Sequence, residues 1–407
     1  MVCNNDEVRD SSKVLRVVSG LERWLRGDAT PIPTGARIGL LAHPASVDAA
    51  ARHAVHRIVE ADRFRLVRLF VPEHGLFGHE QDMEQVHSAS EPSTGLPVIS
   101  LYGKTVESLR PARNDLEGLD AIVADLQDVG SRYYTFVYTL SYMMEAARDA
   151  DLPVVVLDRP NPLGGLRVEG PVLLPELSSF VGRYPLPVCH AMTTGELARL
   201  FNDEFGIGCD LHVVELGGWR RTMGFEDTRL PWVPPSPNMP TPTTARVYPG
   251  GCLVEGTNLS EGRGTTTPFE LVGAPWLDGH RLAAALRRVN TPGAVFRSTS
   301  FRPKFQKHAD QPCSGVQVIV ENAELFRPFS TYLAIIREAR KQRPESFRWR
   351  TETYEFETER LAIDLLLGRP ELRPMLESGA ALEELERSWE KELGEFSKLR
   401  QRYLAYR

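Results

Sequence analysis

At 407 residues the chain is long enough for two or three domains, and its 42% apolar and 25% charged residues are the proportions of an ordinary globular protein. A net charge of −6 gives no electrostatic case for nucleic acid or an anionic membrane, and no window holds the roughly 18 consecutive apolar residues of a membrane span. The five cysteines (Cys3, Cys189, Cys209, Cys252, Cys313) are dispersed without a C-x-x-C pair, which predicts reduced thiols in a reducing compartment.

The chain opens on "MVCNNDEVRDSSKVLRVVSG", which has early acids and no apolar core of a signal peptide, so the sequence predicts a cytoplasmic protein. Residues 1–34 read as a leader and a first helix. From residue 35 onward, short β-branched runs alternate with amphipathic helical patterns, the signature of βαβ units in a parallel sheet. Predicted strands are 37–42, 64–71, 97–102, 120–126, 153–158 and 211–216. Between them, 134–150 carries Phe136, Leu140, Met143 and Met144 on one helical face. At 193–205 a helix opens with a capping box, Thr193 and Glu196.

After Trp219 the texture changes. The stretch "LPWVPPSPNMPTPTTARVYPGG" (230–251) is dense in proline and reads as a rigid, extended crossing between domains. A strand at 314–320 and a helix at 330–342 follow, and the stretch from "YEFETERLAIDLLLG" to "RYLAYR" reads as largely helical. The predicted architecture is α/β: a Rossmann-like parallel sheet over 35–235, a smaller α/β (α+β) domain over 236–407, and a cleft between them.

In an open α/β sheet, ligands bind beyond the carboxyl ends of the strands, so the polar residues found there are the candidates. The first strand runs into His43 and Pro44, and the second into Glu73 and His74 of "LFVPEHGLFGHEQ". The strand at 120–126 delivers Asp125, Gln127, Asp128, Arg132, Tyr133 and Tyr134, and the strand at 153–158 delivers Asp158, Arg159 and Asn161. Any one of these could be a cap or turn residue. Their convergence is what points to a site.

Several chemistries lack their motifs. The first strand–helix turn reads "LLAHPASVDAA" and not G-x-G-x-x-G, so no nicotinamide cofactor is expected; a G-x-x-x-x-G-K-[ST] phosphate loop and a G-x-S-x-G elbow are also missing. "HEQDM" begins like a zinc-binding H-E-x-x-H, but Met83 stands at the second ligand position. A dispersed metal site of His74, His79 and Asp125, serving an amidohydrolase, stays open, as does a non-catalytic two-domain sugar- or peptide-binding protein. The remaining reading is carboxylate chemistry beside aromatics and amides, which suits a sugar. The residues alone reach only a hydrolase or sugar binder with a cleft between two domains.

The ordered motifs "FVPEHGLFGHEQ", "DLQDVGSRYYTFVYTL", "VVLDRPNPLGG", "VEGPVL", "SPNMPT" and "GGCLVEGTNLSEGRGTTTPFE" resemble the NamZ-type exo-β-N-acetylmuramidases, from about residue 35 to the C-terminus. The resemblance implies a Rossmann-like domain, a smaller C-terminal domain and a cleft site that releases N-acetylmuramic acid from the non-reducing end of peptidoglycan fragments. It implies no cofactor and no resident metal, and it leaves oligomeric state open. Glu73 matches the glutamate carried over as catalytic.

As a general acid, Glu73 would need its pKa raised by burial against Leu76 and Phe77. A second carboxylate from Asp125, Asp128 or Glu80 could act as base or nucleophile, or the substrate's own acetamido group could assist. Carboxyl groups roughly 5 Å apart imply retention and roughly 6.5–9.5 Å apart imply inversion. "NLSEGRGTT" supplies Asn258, Glu261 and Arg263 from the second domain. Muramic acid carries a lactyl carboxylate, so Arg263 is the first candidate for specificity and Arg159 the second. Tyr133, Tyr134, Asn161 and Asn238 are candidate sugar contacts, and His74, His79 and Glu80 shape the pocket or tune Glu73. Many relatives carry an export signal, whereas this chain opens on an acidic leader, which favours trimming of imported muropeptides inside the cell.

Overall fold

The computed structural model describes residues 16–28, 32–81, 83, 84, 86 and 89–407, so most of the leader lies outside the described residues. The first helix spans Gly20–Leu25 and is capped reciprocally by Ser19 and Glu22. A seven-stranded sheet follows, built from β1 (Arg37–Ala42), β2 (Arg65–Val71), β3 (Ala89–Ser90), β4 (Pro97–Ser100), β5 (Ala121–Asp125), β6 (Val154–Leu157) and β7 (Leu211–Val214). Its order is β3-β4-β2-β1-β5-β6-β7, with every pair parallel except β3 with β4. The six parallel strands form the doubly wound arrangement, in which the winding direction reverses between β1 and β5.

The central strands are apolar along almost their whole length because helices cover both faces. β5 and β6 are buried at every position, and β1 is buried at all but Arg37. The predicted helices at 134–150 and 193–205 are Phe136–Asp149 and Thr194–Asp203. The Thr193 hydroxyl accepts from the Glu196 N–H at 3.2 Å while Glu196 accepts from the Thr193 N–H at 3.0 Å, as the capping box requires.

The second half holds a three-stranded antiparallel sheet of β8 (Leu271–Ala274), β9 (Ala294–Phe301) and β10 (Cys313–Val320), ordered β8-β10-β9. The helix Pro328–Gln342 buries Phe329, Tyr332, Leu333, Ile335 and Ile336 in the adjoining core. That core is contiguous with Phe136, Leu140 and Met143 of the first half, so packed side chains join the two walls of the cleft.

Two expectations are corrected. The proline-rich stretch is extended only in its first part, because Pro242–Gly251 is a helix. Pro242 stands in the first turn, where a missing N–H leaves nothing unpaired, and the Thr241 hydroxyl accepts from the Thr244 N–H at 3.1 Å. A Cβ at Gly250 would come 2.1 Å from the Pro328 carbonyl oxygen, so the helix crosses its neighbour at a distance only glycine allows. The other correction concerns "YEFETER": these residues form a loop, and helix begins only at Ala362. Among the described residues no helix is long and apolar enough to cross a membrane, and the four described cysteines are buried and unpaired.

Candidate active site

β2 runs through Pro72 into a reversal that exposes Glu73 to the sheet's carboxyl edge. His74 (φ 69°), Gly75 (φ 70°) and Gly78 (φ 68°) all take left-handed backbone, which His74 adopts at a cost glycine does not bear. His74 is fixed by donating its Nδ1–H to the Glu80 carbonyl at 2.8 Å, since that oxygen can only accept. Glu73 is 6% exposed. Its Oε2 accepts from the Thr135 hydroxyl at 3.1 Å, and the Met83 N–H approaches Oε1 at 3.4 Å.

Tyr102 stands behind Glu73 and faces two carboxylates. Its hydroxyl donates to Glu355 Oε2 at 2.8 Å. Burial, then the charges of Glu73 and Glu355, hold the phenol protonated well above its ordinary range.

The opposite wall comes from the second half. Glu255 accepts from Arg263 Nη2 at 2.9 Å through Oε1 and from the Tyr354 hydroxyl at 2.8 Å through Oε2. The Arg263 guanidinium lies over the Phe269 ring at 5.1 Å. Between the walls is a narrow cleft, lined among others by Glu73, His74, Tyr134, Asn238, Glu255, Arg263 and Glu355. The buried Tyr134 hydroxyl lies on this lining beside Ser236. Asn238 is held by donating to Gln81 Oε1 at 2.9 Å.

Of the residues expected from the sequence, Glu73, His74, Tyr133, Tyr134, Asn238 and Arg263 border this cleft. Tyr133 does so with its hydroxyl already donating to the Leu366 carbonyl at 2.7 Å. The others are used elsewhere. Asp125 is locked to Arg159 through both oxygens, at 2.5 and 2.8 Å, and Arg159 also donates to the Val47 carbonyl at 2.9 Å, so neither borders the cleft. Asp128 accepts from the Gly130 N–H at 2.6 Å and lies 3.3 Å from His190 Nε2. Asp158 binds the Gly195 N–H at 2.8 Å and the Thr193 hydroxyl at 2.7 Å, and Tyr406 donates to it as well. Burial raises the Asp158 carboxyl to about 6.

Arg132 sits in a cage of the Pro171, Leu186 and Leu366 carbonyls at 2.7 to 2.9 Å. Asn161 bridges the Met192 carbonyl and the Leu163 N–H, and Asn258 bridges the Ser346 carbonyl and the Arg348 N–H. Glu261 pairs with Lys307 at 2.9 Å, behind Arg263. Glu80 lies outside the lining and contributes its carbonyl to His74. Phe77 is 53% exposed and stacks on His79 at the surface, so of the expected pair only Leu76 is buried near Glu73. His74, His79 and Asp125 are therefore not gathered, and no three His, Cys, Asp or Glu side chains among the described residues form a metal-holding group.

Tyr102, Glu255 and Glu355 were not singled out from the sequence. Tyr102 is the last residue of a predicted strand, and the strand-end rule applied to 97–102 would have found it. Glu255 lies inside "GGCLVEGTNLSEGRG", three residues before the first polar candidate chosen there. Glu355 was hidden by the helical reading of its segment; its φ of 54° marks a strained backbone at the cleft.

The chain matches two family models: the N-terminal domain of exo-beta-N-acetylmuramidase NamZ over residues 38–243 and its C-terminal domain over residues 246–406. It is 44% identical to the peptidoglycan beta-N-acetylmuramidase NamZ of Bacillus subtilis (strain 168) over 401 residues, 98% of this chain and 94% of the relative. Two crystal structures of DUF1343 family proteins from Bacteroides fragilis NCTC 9343 share the architecture. One superposes with a TM-score of 0.86 at 32% identity, covering 96% of this chain and 99% of the other. The second gives 0.75 at 28% identity, covering 97% and 99%.

Proposed function

Because the chain belongs to the exo-beta-N-acetylmuramidase NamZ family and is a glycosidase of that kind, we propose that Glu73 is the general acid that frees N-acetylmuramic acid from the non-reducing end of peptidoglycan fragments. The observation that carries this role is a buried carboxyl on the cleft lining, with Oε2 accepting from the Thr135 hydroxyl and the Met83 N–H approaching Oε1. Glu73 gives its proton to the glycosidic oxygen as the bond to the anomeric carbon breaks, and the leaving sugar departs as a neutral alcohol. Thr135 and the Met83 N–H hold the carboxyl in one orientation as the substrate arrives.

The second carboxylate is Glu355, which borders the same cleft and is tied to Glu73 through Tyr102. It supports the oxocarbenium-like centre, either directly or by activating water. Arg263 binds the lactyl carboxylate, with Glu255 fixing one edge of the guanidinium. Tyr134 and Asn238, which line the cleft, bond the sugar in this reading. The buried, unpaired cysteines suit action inside the cell on imported muropeptides.

A chromogenic N-acetyl-β-muramide and its N-acetylglucosaminide counterpart test this assignment. The muramide is turned over preferentially, and Glu73→Gln lowers that turnover by about 10²- to 10⁴-fold, the range for loss of a general acid. A Glu73→Gln enzyme with full activity would remove Glu73 from the mechanism.

A further inference from the structure

A second groove adjoins the cleft, and Val181, Tyr354 and Glu355 line both. We propose that this groove is the subsite for the leaving-group sugar, the N-acetylglucosamine unit whose oxygen Glu73 protonates. The inference rests on the muramidase reading and assigns the part of the substrate that the cleft does not hold.

Three features select this occupant. The groove shares Glu355 with the cleft, and the Tyr102 phenol that donates to Glu355 also faces the Glu73 carboxylate, which sets the groove beside the proton donor. Its inner face is aromatic: Tyr102, Phe180 and Phe356 pack mutually, with centroids 5.5 to 5.7 Å apart, and Phe180 and Phe356 line the groove itself. A pyranose presents C–H faces to such rings and hydroxyls to a polar rim. The rim carries Ser179, whose Oγ is buried without a hydrogen-bond partner, together with Glu357 and Arg360. A stem peptide, by contrast, is amide-linked to the lactyl group of the muramyl unit in the cleft, so it leaves the substrate on the muramyl side and not from the leaving-group sugar.

The test compares two substrates that differ only in the leaving group: N-acetyl-β-muramyl-(1→4)-N-acetylglucosamine and N-acetyl-β-muramyl fluoride. Phe356→Ala is expected to lower kcat/KM for the disaccharide about tenfold relative to the fluoride, since fluoride does not reach the groove. Phe356 packs on Tyr102, so a second variant guards against a disturbed fold. Val106 is 48% exposed on the groove lining, and Val106→Trp fills the groove from outside, with the same shift in ratio expected. An unchanged ratio in both folded variants would overturn the subsite. So would a defect confined to substrates bearing a stem peptide, which would assign the groove to peptide. Failure of the parent enzyme to cleave either substrate would instead overturn the muramidase reading.

Discussion

The molecule buries two acid–arginine pairs with similar chemistry and opposite uses. Asp125 and Arg159 join the ends of β5 and β6 in a two-bond fork, with a third donor of Arg159 closed by the Val47 carbonyl. Glu255 accepts from Arg263 Nη2 at 2.9 Å, and both residues line the cleft. The first pair has its hydrogen-bonding groups used by the protein and holds the sheet edge together. The second borders the cleft, with Arg263 Nε also 4.0 Å from Glu261 Oε1. What separates a structural pair from a recognition pair here is presentation, since residue type and burial are nearly the same.

The sharpest way to break that comparison is to remove one partner of the structural pair. Arg159→Met should cost about 3–5 kcal/mol, because it strands an ionised Asp125 away from water. Denaturant titration would show the loss, and the double variant Asp125→Asn, Arg159→Met should recover part of it. The remaining folded enzyme should retain its kcat/KM. A small stability change with a large loss of turnover would move the pair into the catalytic site.

Glu169 is a third case, a buried acid with no arginine among the described residues within hydrogen-bonding distance. Its Oε1 accepts the Ser330 N–H at 3.1 Å, while Oε2 has no partner. Burial pushes its carboxyl from an ordinary 4.5 up to about 7. Between those values the folded state holds the proton more tightly than the unfolded chain, so stability falls as pH rises. The whole interval corresponds to about 3 kcal/mol. Glu169→Gln cannot titrate, so its stability relative to the parent should improve by up to that amount from about pH 5 to about pH 8, measured by denaturation at each pH. A pH-independent difference would mean that Glu169 has a cationic partner in solution.

These pairs also explain what could and could not be read from the sequence. Apolar runs at 37–42, 120–126 and 153–158 located β1, β5 and β6 to within a residue or so, because buried parallel strands must be apolar throughout. Strand ends then nominated Glu73, Asp125, Asp158 and Arg159 together, since the rule selects polar residues at the sheet's carboxyl edge without regard to partners. Only the folded chain shows that Asp158 is consumed by the cap of Thr194–Asp203 and that Asp125 is consumed by Arg159. Glu355 was illegible for a different reason. Its neighbours have helical periodicity, but Tyr354 is buried against Glu255, and the Tyr102 phenol and the Glu355 carboxylate are hydrogen-bonded, contacts between residues up to 253 positions apart. Such long-range contacts outweigh local preference.

The recognition pair is best probed by a change that keeps its charge. Arg263→Lys retains a cation able to reach Glu255, but an ammonium lacks the planar fork that can hold Glu255 on one edge and a lactyl carboxylate on the other. The stacking of the guanidinium over Phe269 is lost as well. The two carboxylates would then compete for one compact charge. Preference for an N-acetylmuramide over the matching N-acetylglucosaminide should fall about 30-fold, equivalent to about 2 kcal/mol. Because the lactyl group is remote from the bond that breaks, the loss should enter through KM, with kcat nearly conserved. If selectivity survives Arg263→Lys, the lactyl group is read by another residue of the cleft, and the contrast with Asp125–Arg159 reduces to one of packing.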